Sequence, residues 1–582
     1  MKRAAIFAFY DNEGVVDDYV PYLLSGIHPY IDHLICVVNG ELKKEEAVKL
    51  EACCDEILFR ENEGLDVTAY KYGTDILLKR KDQWDEVLYF NATVYGPVFS
   101  FSHVFEKMDG QSVDFWGMTR HTKTDKNYVE GSGLQYIPEH LQSYFIAVRK
   151  EMFYSSDYSV YWNNIGKINN YIDAVTKHEL VFTQYFNDRG YVWNSYIEPT
   201  NDDLLYQYVL MSNPLKLLKE QKCPVVKRKC FLHTVQDQPL VPMMGTANEL
   251  FQYIKDYTNY DVGMIIQNLI RTERTISYEE ALFTVYNVED WAEAEYEGER
   301  LTAYVRIDNI EFIESYLSLL KKGINQIKIL CQTDDLVTQA RNYCAEYESV
   351  FVYKDSLRSL YDLLQTEDSD YTMVSSCCFR NGKTVMRNMP EYIFELEEVC
   401  KIDELMSAQI TRILQHEPYV KICIPTFSQI NASKSKKTIN RAEDPTMDLS
   451  TVFGASRTFL GKTGQIKNAL SEYLKHGGSL FDSDFDAFPA YCARYNGGLI
   501  GVITSREIEK SYYLMMLPLL QNLDRAERLV NKYDNARAFM YNFLTEKSLK
   551  ERLWFLMLAL IPSKRREVLA RYADKLLPKE EI

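Results

Sequence analysis

Residues 33–79 read HLICVVNGELKKEEAVKLEACCDEILFRENEGLDVTAYKYGTDILLK. His33–Asn39 is a short apolar run closed by Asn-Gly, and Lys43–Cys53 spaces its apolar residues as one face of a helix. Glu56–Arg60 is apolar again, and Val67–Lys79 returns to the helical pattern. Short apolar runs alternating with amphipathic stretches predict parallel strands joined by crossover helices. The pattern extends outward, with Ala4–Tyr10 as a strand and Asp17–Leu24 as a helix before it, and Glu86–Asn91 as a strand after it. The expected fold class is therefore α/β. In such sheets ligands bind at the carboxyl ends of the strands. The loops there are Asp11-Asn12-Glu13-Gly14, Asn39-Gly40, Glu61 to Asp66, and Asn91-Ala92-Thr93. Each alone is a turn signal, but four in succession on one edge are more than turning requires.

The same grammar restarts near residue 301. Thr302–Ile307, Gln326–Gln332, Ser349–Tyr353 and Tyr371–Ser375 read as strands, with helices expected over Glu311–Lys321, Val337–Glu346 and Leu357–Leu364. Matching element order suggests a duplication at the level of fold. The loops differ: RENEGLDVTAYKYG in the first half is answered by YKDSLRSLYDLL, without an Asn-x-Gly turn, so the second copy is expected to be degenerate. NASKSKKTINRAEDP reads as an exposed loop, and helices are expected from about Glu507 onward. Trp554–Ile561 beside Lys564-Arg565-Arg566 is either a buried helix with a charged end or a membrane-surface contact. The expected division is 1–290, 291–500 and a helical region over 501–582.

Composition narrows the function classes. Lys+Arg 66 against Asp+Glu 83 leaves a net charge of −17 over 582 residues, which argues against binding a nucleic-acid polymer. Twelve cysteines, among them the adjacent pairs Cys53-Cys54 and Cys377-Cys378, are too sparse for a disulfide scaffold and point to reduced thiols and a cytoplasmic address. No pair of Cys-x-x-Cys motifs supports a structural zinc site. The apolar stretch Leu553–Ile561 is about half of what a spanning helix needs. The opening MKRAAIFAFYDNEG reads as a first strand and not as a leader. Aromatic residues make up 13%, which serves either core packing or stacking on sugars and bases.

The segment richest in chemistry is Arg60–Gly73, where an Asn-x-Gly turn leaves a strand and opens a helix whose N–H groups face the expected pocket mouth. LYFNATVYGPV (Leu88–Val98) and DFWGMTRH (Asp114–His121) follow. The stretches ENEGLDVTAYKYG (Glu61–Gly73), FNATVYGPV (Phe90–Val98) and VDFWGMT (Val113–Thr119), with YDNEGVVDDYVPYLL (Tyr10–Leu24), HLQSYF (His140–Phe145) and NPLKLLKEQKCPVVKRKCF (Asn213–Phe231), run in order over residues 1–235. By them the chain resembles the rhamnan synthesis F family of bacterial glycosyltransferases. The rest of the chain is not covered by these motifs.

The resemblance implies a GT-A type, Rossmann-like domain that binds a nucleotide-diphospho-sugar. It implies transfer of a rhamnosyl or related residue, most often from dTDP-L-rhamnose, onto a lipid-linked cell-wall or capsular polysaccharide. Inversion at the donor carbon is expected, at a cytoplasmic site or peripherally on the inner face of the cell membrane. The donor-binding set it implies is Tyr10, Asp11, Asn39, Asn62, Gly64, Asp66, Tyr70, Asn91, Thr93, Trp116, Lys227 and Arg228. GT-A enzymes commonly hold the diphosphate through Mg²⁺ or Mn²⁺ on an acidic motif after the fourth strand. Here that motif is Asn91-Ala92-Thr93, without the acid. Either Asn91, Thr93 and Asp66 make a weaker or metal-free site, or the chain is a non-catalytic binding or assembly subunit. KHELVFTQYFNDRGYVW (Lys177–Trp193) is similar to the helix start by which family 2-like glycosyltransferases present their base. This makes Glu179 the expected base and His178 the second choice. Asp114 is expected near the donor sugar or acceptor, and Trp116 either stacks on a sugar or fills the core. Lys227-Arg228-Lys229 faces a diphosphate, an anionic acceptor or solvent. FDSDFD (Phe481–Asp486) lacks the preceding buried strand a metal motif should end, and is not read as one.

Overall fold

The computed structural model describes residues 1–504 apart from 81–83, 126–134, 199–208, 233–246, 274, 283, 292–298, most of 311–323, 357, 377–405, 426–455, 457 and 479–484. The expected helix over Glu311–Lys321, the loop NASKSKKTINRAEDP, Asp482 and Asp484 of FDSDFD, and the C-terminal helices lie outside the described residues or largely so.

The first half contains β1 (Arg3–Phe9), β2 (His33–Asn39), β3 (Glu56–Arg60), β4 (Glu86–Asn91), β5 (Val94–Tyr95), β6 (Phe115–Gly117), β7 (Arg120–His121), β8 (His140–Leu141), β9 (Phe145–Arg149), β10 (Trp193–Ser195) and β11 (Val226–Lys227). Seven of these form a sheet in the order β10-β6-β9-β4-β1-β2-β3. Only β9 runs against its neighbours. The crossover helices are α1 (Tyr19–Ile27), α2 (Lys44–Glu51) and α3 (Leu65–Lys79). Every residue of β1 and β4 is buried, as expected where helices cover both faces of a parallel sheet. α3 packs Val67, Ala69, Tyr70 and Leu77 onto that sheet. A Cβ on its Gly73 would stand 2.8 Å from the Ile6 side chain, so glycine sets the helix-to-strand distance.

The second half contains β12 (Thr284–Asn287), β13 (Leu301–Ile307), β14 (Gln326–Cys331), β15 (Val350–Lys354), β16 (Tyr371–Ser376), β17 (Val420–Pro425), β18 (Thr458–Lys462) and β19 (Leu499–Thr504). Their order is β12-β19-β17-β18-β16-β13-β14-β15. Without the outer β12, this is the first sheet strand for strand. β13 to β16 take the places of β1 to β4, and β18, β17 and β19 those of β9, β6 and β10, with β18 antiparallel to both neighbours. The duplication expected from the sequence thus extends to the strand reversal near the middle of the sheet. The ligand edge differs. By register, Ala8 of β1 corresponds to Arg306 of β13, since each sits beside the end of the fourth strand. The Arg306 guanidinium is buried against Asp355, with Nε to Oδ2 at 3.0 Å.

Both sheets belong to one compact unit, residues 1–509. Helices Ala247–Tyr257 and Gly263–Thr272 and the turn between them tie the sheets together: Lys255 Nζ donates to Glu417 Oε2 at 2.6 Å and Tyr419 OH to Asp261 Oδ1 at 2.7 Å, while Arg271 donates to Asp17 Oδ2 at 2.6 Å. Among the described residues no helix is long and apolar enough to cross a membrane.

At the amino-terminal edge of the first sheet, the wholly buried Glu86 accepts hydrogen bonds from Arg3 Nε (2.8 Å), Trp116 Nε1 (2.8 Å) and Arg149 Nε (3.5 Å). One carboxylate thereby joins β1, β4, β6 and β9. Glu86→Ala removes a buried charge shared by two arginines and is expected to cost roughly 3–5 kcal/mol, seen as a large drop in thermal midpoint. Glu86→Gln, which keeps an acceptor, should lose less.

Candidate functional site

The turn after β4 organises the opposite edge. Asn91 Nδ2 donates to Asp66 Oδ2 at 2.7 Å, and its Oδ1 accepts from Thr93 N (3.1 Å) and Thr93 Oγ1 (2.6 Å). Asp66 stands in the first turn of α3, which Gly64 opens in the left-handed region at φ +75°. β5 then pairs antiparallel with β11, Val94 opposite Lys227. Gly96 permits this approach, because a Cβ there would lie 2.7 Å from the Pro224 carbonyl oxygen. The pairing brings the basic run onto the turn. Lys227 Nζ donates to Thr93 Oγ1 at 2.8 Å and sits 4.3 Å from the centre of the Tyr144 ring. Arg228 N donates to Thr93 O at 3.1 Å, and its guanidinium donates to Tyr19 OH at 3.1 Å. Lys229 is exposed.

Glu179 approaches from another direction. Val175–Glu179 is a widened helical turn between Tyr171–Ala174 and Leu180–Asn187, a distortion that recurs at functional sites. Glu179 Oε2 accepts from Ser143 N at 3.0 Å and Ser143 Oγ at 2.6 Å, and Tyr70 OH donates to Ser143 O at 3.2 Å.

The charges are mutually dependent. Burial, reinforced by Glu179, pushes the Asp66 carboxyl up despite its Asn91 hydrogen bond. Burial acts on Glu179 in the same sense, yet His140, the two Ser143 hydrogen bonds and Lys227 outweigh it and hold the carboxyl below its usual range. Burial also lowers His140, leaving it neutral near pH 7. The Ser143 hydrogen bonds and the Lys227 ammonium are then what keep Glu179 ionised there. Burial pulls Lys227 down to about 8, against the attraction of Glu179 and Asp66.

Asp66, Tyr70, Asn91, Thr93, Lys227, Arg228 and Glu179 therefore form one cluster. On the same edge, Tyr10 and Asn62 are exposed and Gly64 shapes the loop. Asp11 is committed to Arg271, with Oδ2 accepting at 2.5 Å, and to the N–H groups of Glu13 and Val15. Asn39 spends its amide on Leu65 O (2.9 Å) and Arg60 (2.5 Å).

Three expected site residues lie elsewhere. Asp114 precedes β6 at the amino-terminal edge, level with Arg149, whose N–H it accepts at 2.9 Å, and its carboxylate accepts from Val192 N. Trp116 is 0% exposed and bound to Glu86, so no ring face is open to a sugar. His178 is buried among Tyr161, Trp162 and Phe182, and bonds the Tyr161 hydroxyl at 2.9 Å. Ser143 and Arg271 were missed. Ser143 lies within the HLQSYF segment, but its partner is 36 positions away and no local spacing relates the two. Arg271 sits on an apolar helix with no motif around it.

Asn91 and Thr93 do not fit a divalent ion. The Asn91 oxygen already accepts two hydrogen bonds, Ala92 supplies a methyl group, and the Thr93 hydroxyl lies 2.8 Å from an ammonium. Hard cations need several free oxygens, usually anionic. Among the described residues no group of three or more His, Cys, Asp or Glu side chains converges as a metal site.

The strand order and this edge define an α/β protein with a charged site at the carboxyl ends of its first sheet. The family described as rhamnan synthesis protein F matches residues 34–458, and the chain belongs to it. No curated protein matches the chain. Among solved structures it is similar to 4-diphosphocytidyl-2C-methyl-D-erythritol synthase from Anaerococcus prevotii, at 14% identity over 36% of this chain and 89% of that one, with a TM-score of 0.23. It is also similar to glucosyl-3-phosphoglycerate synthase from Mycobacterium tuberculosis in complex with Mg²⁺ and uridine diphosphate, at 12% identity over 38% and 75%, with a TM-score of 0.24.

A stability measurement checks the cluster. Since the folded Lys227 loses its proton near 8 and the unfolded lysine near 10.5, the unfolded chain holds the extra proton between those values. Stability attributable to this group rises with pH across that window. From pH 8 to 10.5 the thermal midpoint of the protein should gain on that of Lys227→Met.

Proposed function

We propose that the chain is a glycosyltransferase of polysaccharide assembly, which moves a sugar from a nucleotide-diphospho-sugar onto a glycan acceptor. The observation that carries the reading is the Glu179 carboxylate, hydrogen-bonded by Ser143 N and Oγ, at the same sheet edge as Lys227 and Arg228. A base and cationic groups at one cleft are what the reaction needs: one takes the acceptor's proton, the others receive the negative charge of the leaving diphosphate. Family membership supports the same class; the proposed donor is dTDP-L-rhamnose and the proposed acceptor a lipid-linked cell-wall or capsular polysaccharide. In this reading the acceptor oxygen, deprotonated by Glu179, attacks the donor carbon opposite the diphosphate and inverts it. The enzyme works in the cytoplasm, at the inner face of the membrane that carries its acceptor. Residues 1–290 hold the donor chemistry, with 291–500 a degenerate second domain and 501–582 a helical region.

Ala92 favours one rival, a non-catalytic subunit that binds a nucleotide sugar without turning it over. Nucleotide release from dTDP-rhamnose with a lipid-linked acceptor separates the two. Glu179→Gln should lower turnover by about 10²–10⁴-fold while leaving nucleotide affinity nearly unchanged. Turnover indifferent to Glu179, or binding with no turnover in the unaltered protein, supports the rival. Ser143→Ala removes the Oγ hydrogen bond to the Glu179 carboxylate and leaves the one from the Ser143 backbone N–H, so the acidic limb of its kcat/KM profile should move to higher pH.

A further inference from the structure

Beside the turn after β4, where the resemblance implies an acid-bound divalent ion, this chain brings an ammonium. We propose that Lys227 is the counter-charge for the leaving diphosphate and that the site works without a divalent metal. The inference rests on the transferase reading above and specifies how that site handles its leaving group.

Four observations converge on it. The turn residues that would bind a metal are occupied by their own hydrogen bonds, Asn91 with Asp66 and Thr93, and Thr93 with Asn91. Lys227 Nζ is 2.8 Å from Thr93 Oγ1, so a divalent ion on that hydroxyl would sit against a like charge. The backbone fixes the lysine there: β11 is hydrogen-bonded to β5, and the next N–H, that of Arg228, donates to Thr93 O. Finally, two carboxylates, Glu179 and Asp66, lie near the amine and favour its charged form.

The balance of the step needs no further reagent. The bond from the donor carbon to the diphosphate oxygen breaks with its electron pair leaving on that oxygen, beside the ammonium. The acceptor oxygen bonds to the same carbon, and its proton passes to Glu179. A lysine supplies a single charge with three donors; one goes to Thr93 Oγ1 and two remain for diphosphate oxygens. Arg228, engaged with Tyr19 and the Thr93 carbonyl, acts as a positioning residue for the segment.

The test is calorimetric titration of the full chain with dTDP, UDP, GDP and CDP in turn, in EDTA and then in Mn²⁺. At least one nucleotide is expected to bind in EDTA with an affinity that Mn²⁺ does not improve. Lys227→Met should weaken that binding by about tenfold or more, without rescue by Mn²⁺, and Lys227→Arg should restore most of it. Binding that requires Mn²⁺, or binding in EDTA that Lys227→Met leaves intact, overturns the proposal while sparing the transferase reading. A protein that binds no nucleotide under either condition overturns both. Should Lys227→Met fail to fold, as judged by its thermal transition, the EDTA comparison on the unaltered chain and the Lys227→Arg variant still decide.

Discussion

The hydrogen bond from Lys227 to Thr93 is the contact on which the site depends. It spans 134 positions of sequence and exists because two short strands, β5 and β11, pair beyond the end of the main sheet. That pairing needs the chain at Pro224 to pass closer to Gly96 than any side chain would allow. Without it the turn after β4 would present an amide, a methyl and a hydroxyl, none of them charged. With it, a cation stands beside Thr93. Of the two carboxylates nearby, Asp66 is pushed up by burial and by Glu179, while Glu179, against its burial, is held down by His140, Ser143 and Lys227. Carboxylates separated in this way by their surroundings can take separate roles.

The two sheets share one topology but differ at the carboxyl-end edge. Both follow the same strand order with the same single reversal, so the crossover and packing constraints of the fold are met twice. In the first sheet the position beside the end of β4 is the small Ala8, and the polar loops beyond it reach the edge. In the second, Arg306 occupies the corresponding position and its charge is spent internally on Asp355, both side chains being 1% exposed. An ion pair satisfied within the protein has little left to offer a ligand.

Much of the fold was legible. The strands His33–Asn39, Glu56–Arg60 and Glu86–Asn91 were read to the residue, and β13 to β16 of the second half to within one, because a buried parallel strand is a short apolar run between polar turns; β12, β17, β18 and β19 were not read. The cluster was legible where motif and element end coincide, as at Asn91 closing β4, Asp66 opening α3 and Glu179 before the helix Leu180–Asn187. Reading failed at DFWG. Its acid and aromatics suggested a ligand site, but strand direction puts Asp114 at the far edge and the core claims Trp116. A sequence does not state which end of a strand faces the ligand until its partners are known. His178 failed for a related reason, since one position along a helix separates the core from the cleft.

The sequence alone determined the alternation of strands and helices, its repetition in the second half, the polar loops at one sheet edge and the missing acid at position 92. These are local properties, carried by periodicity and turn chemistry over a few residues. Only the tertiary structure decided that Ser143 holds Glu179, that Arg271 claims Asp11, and that Lys227 stands where the missing acid leaves a gap. Each of those contacts joins residues tens to hundreds of positions apart, and they meet only once strand pairing has closed the chain on itself.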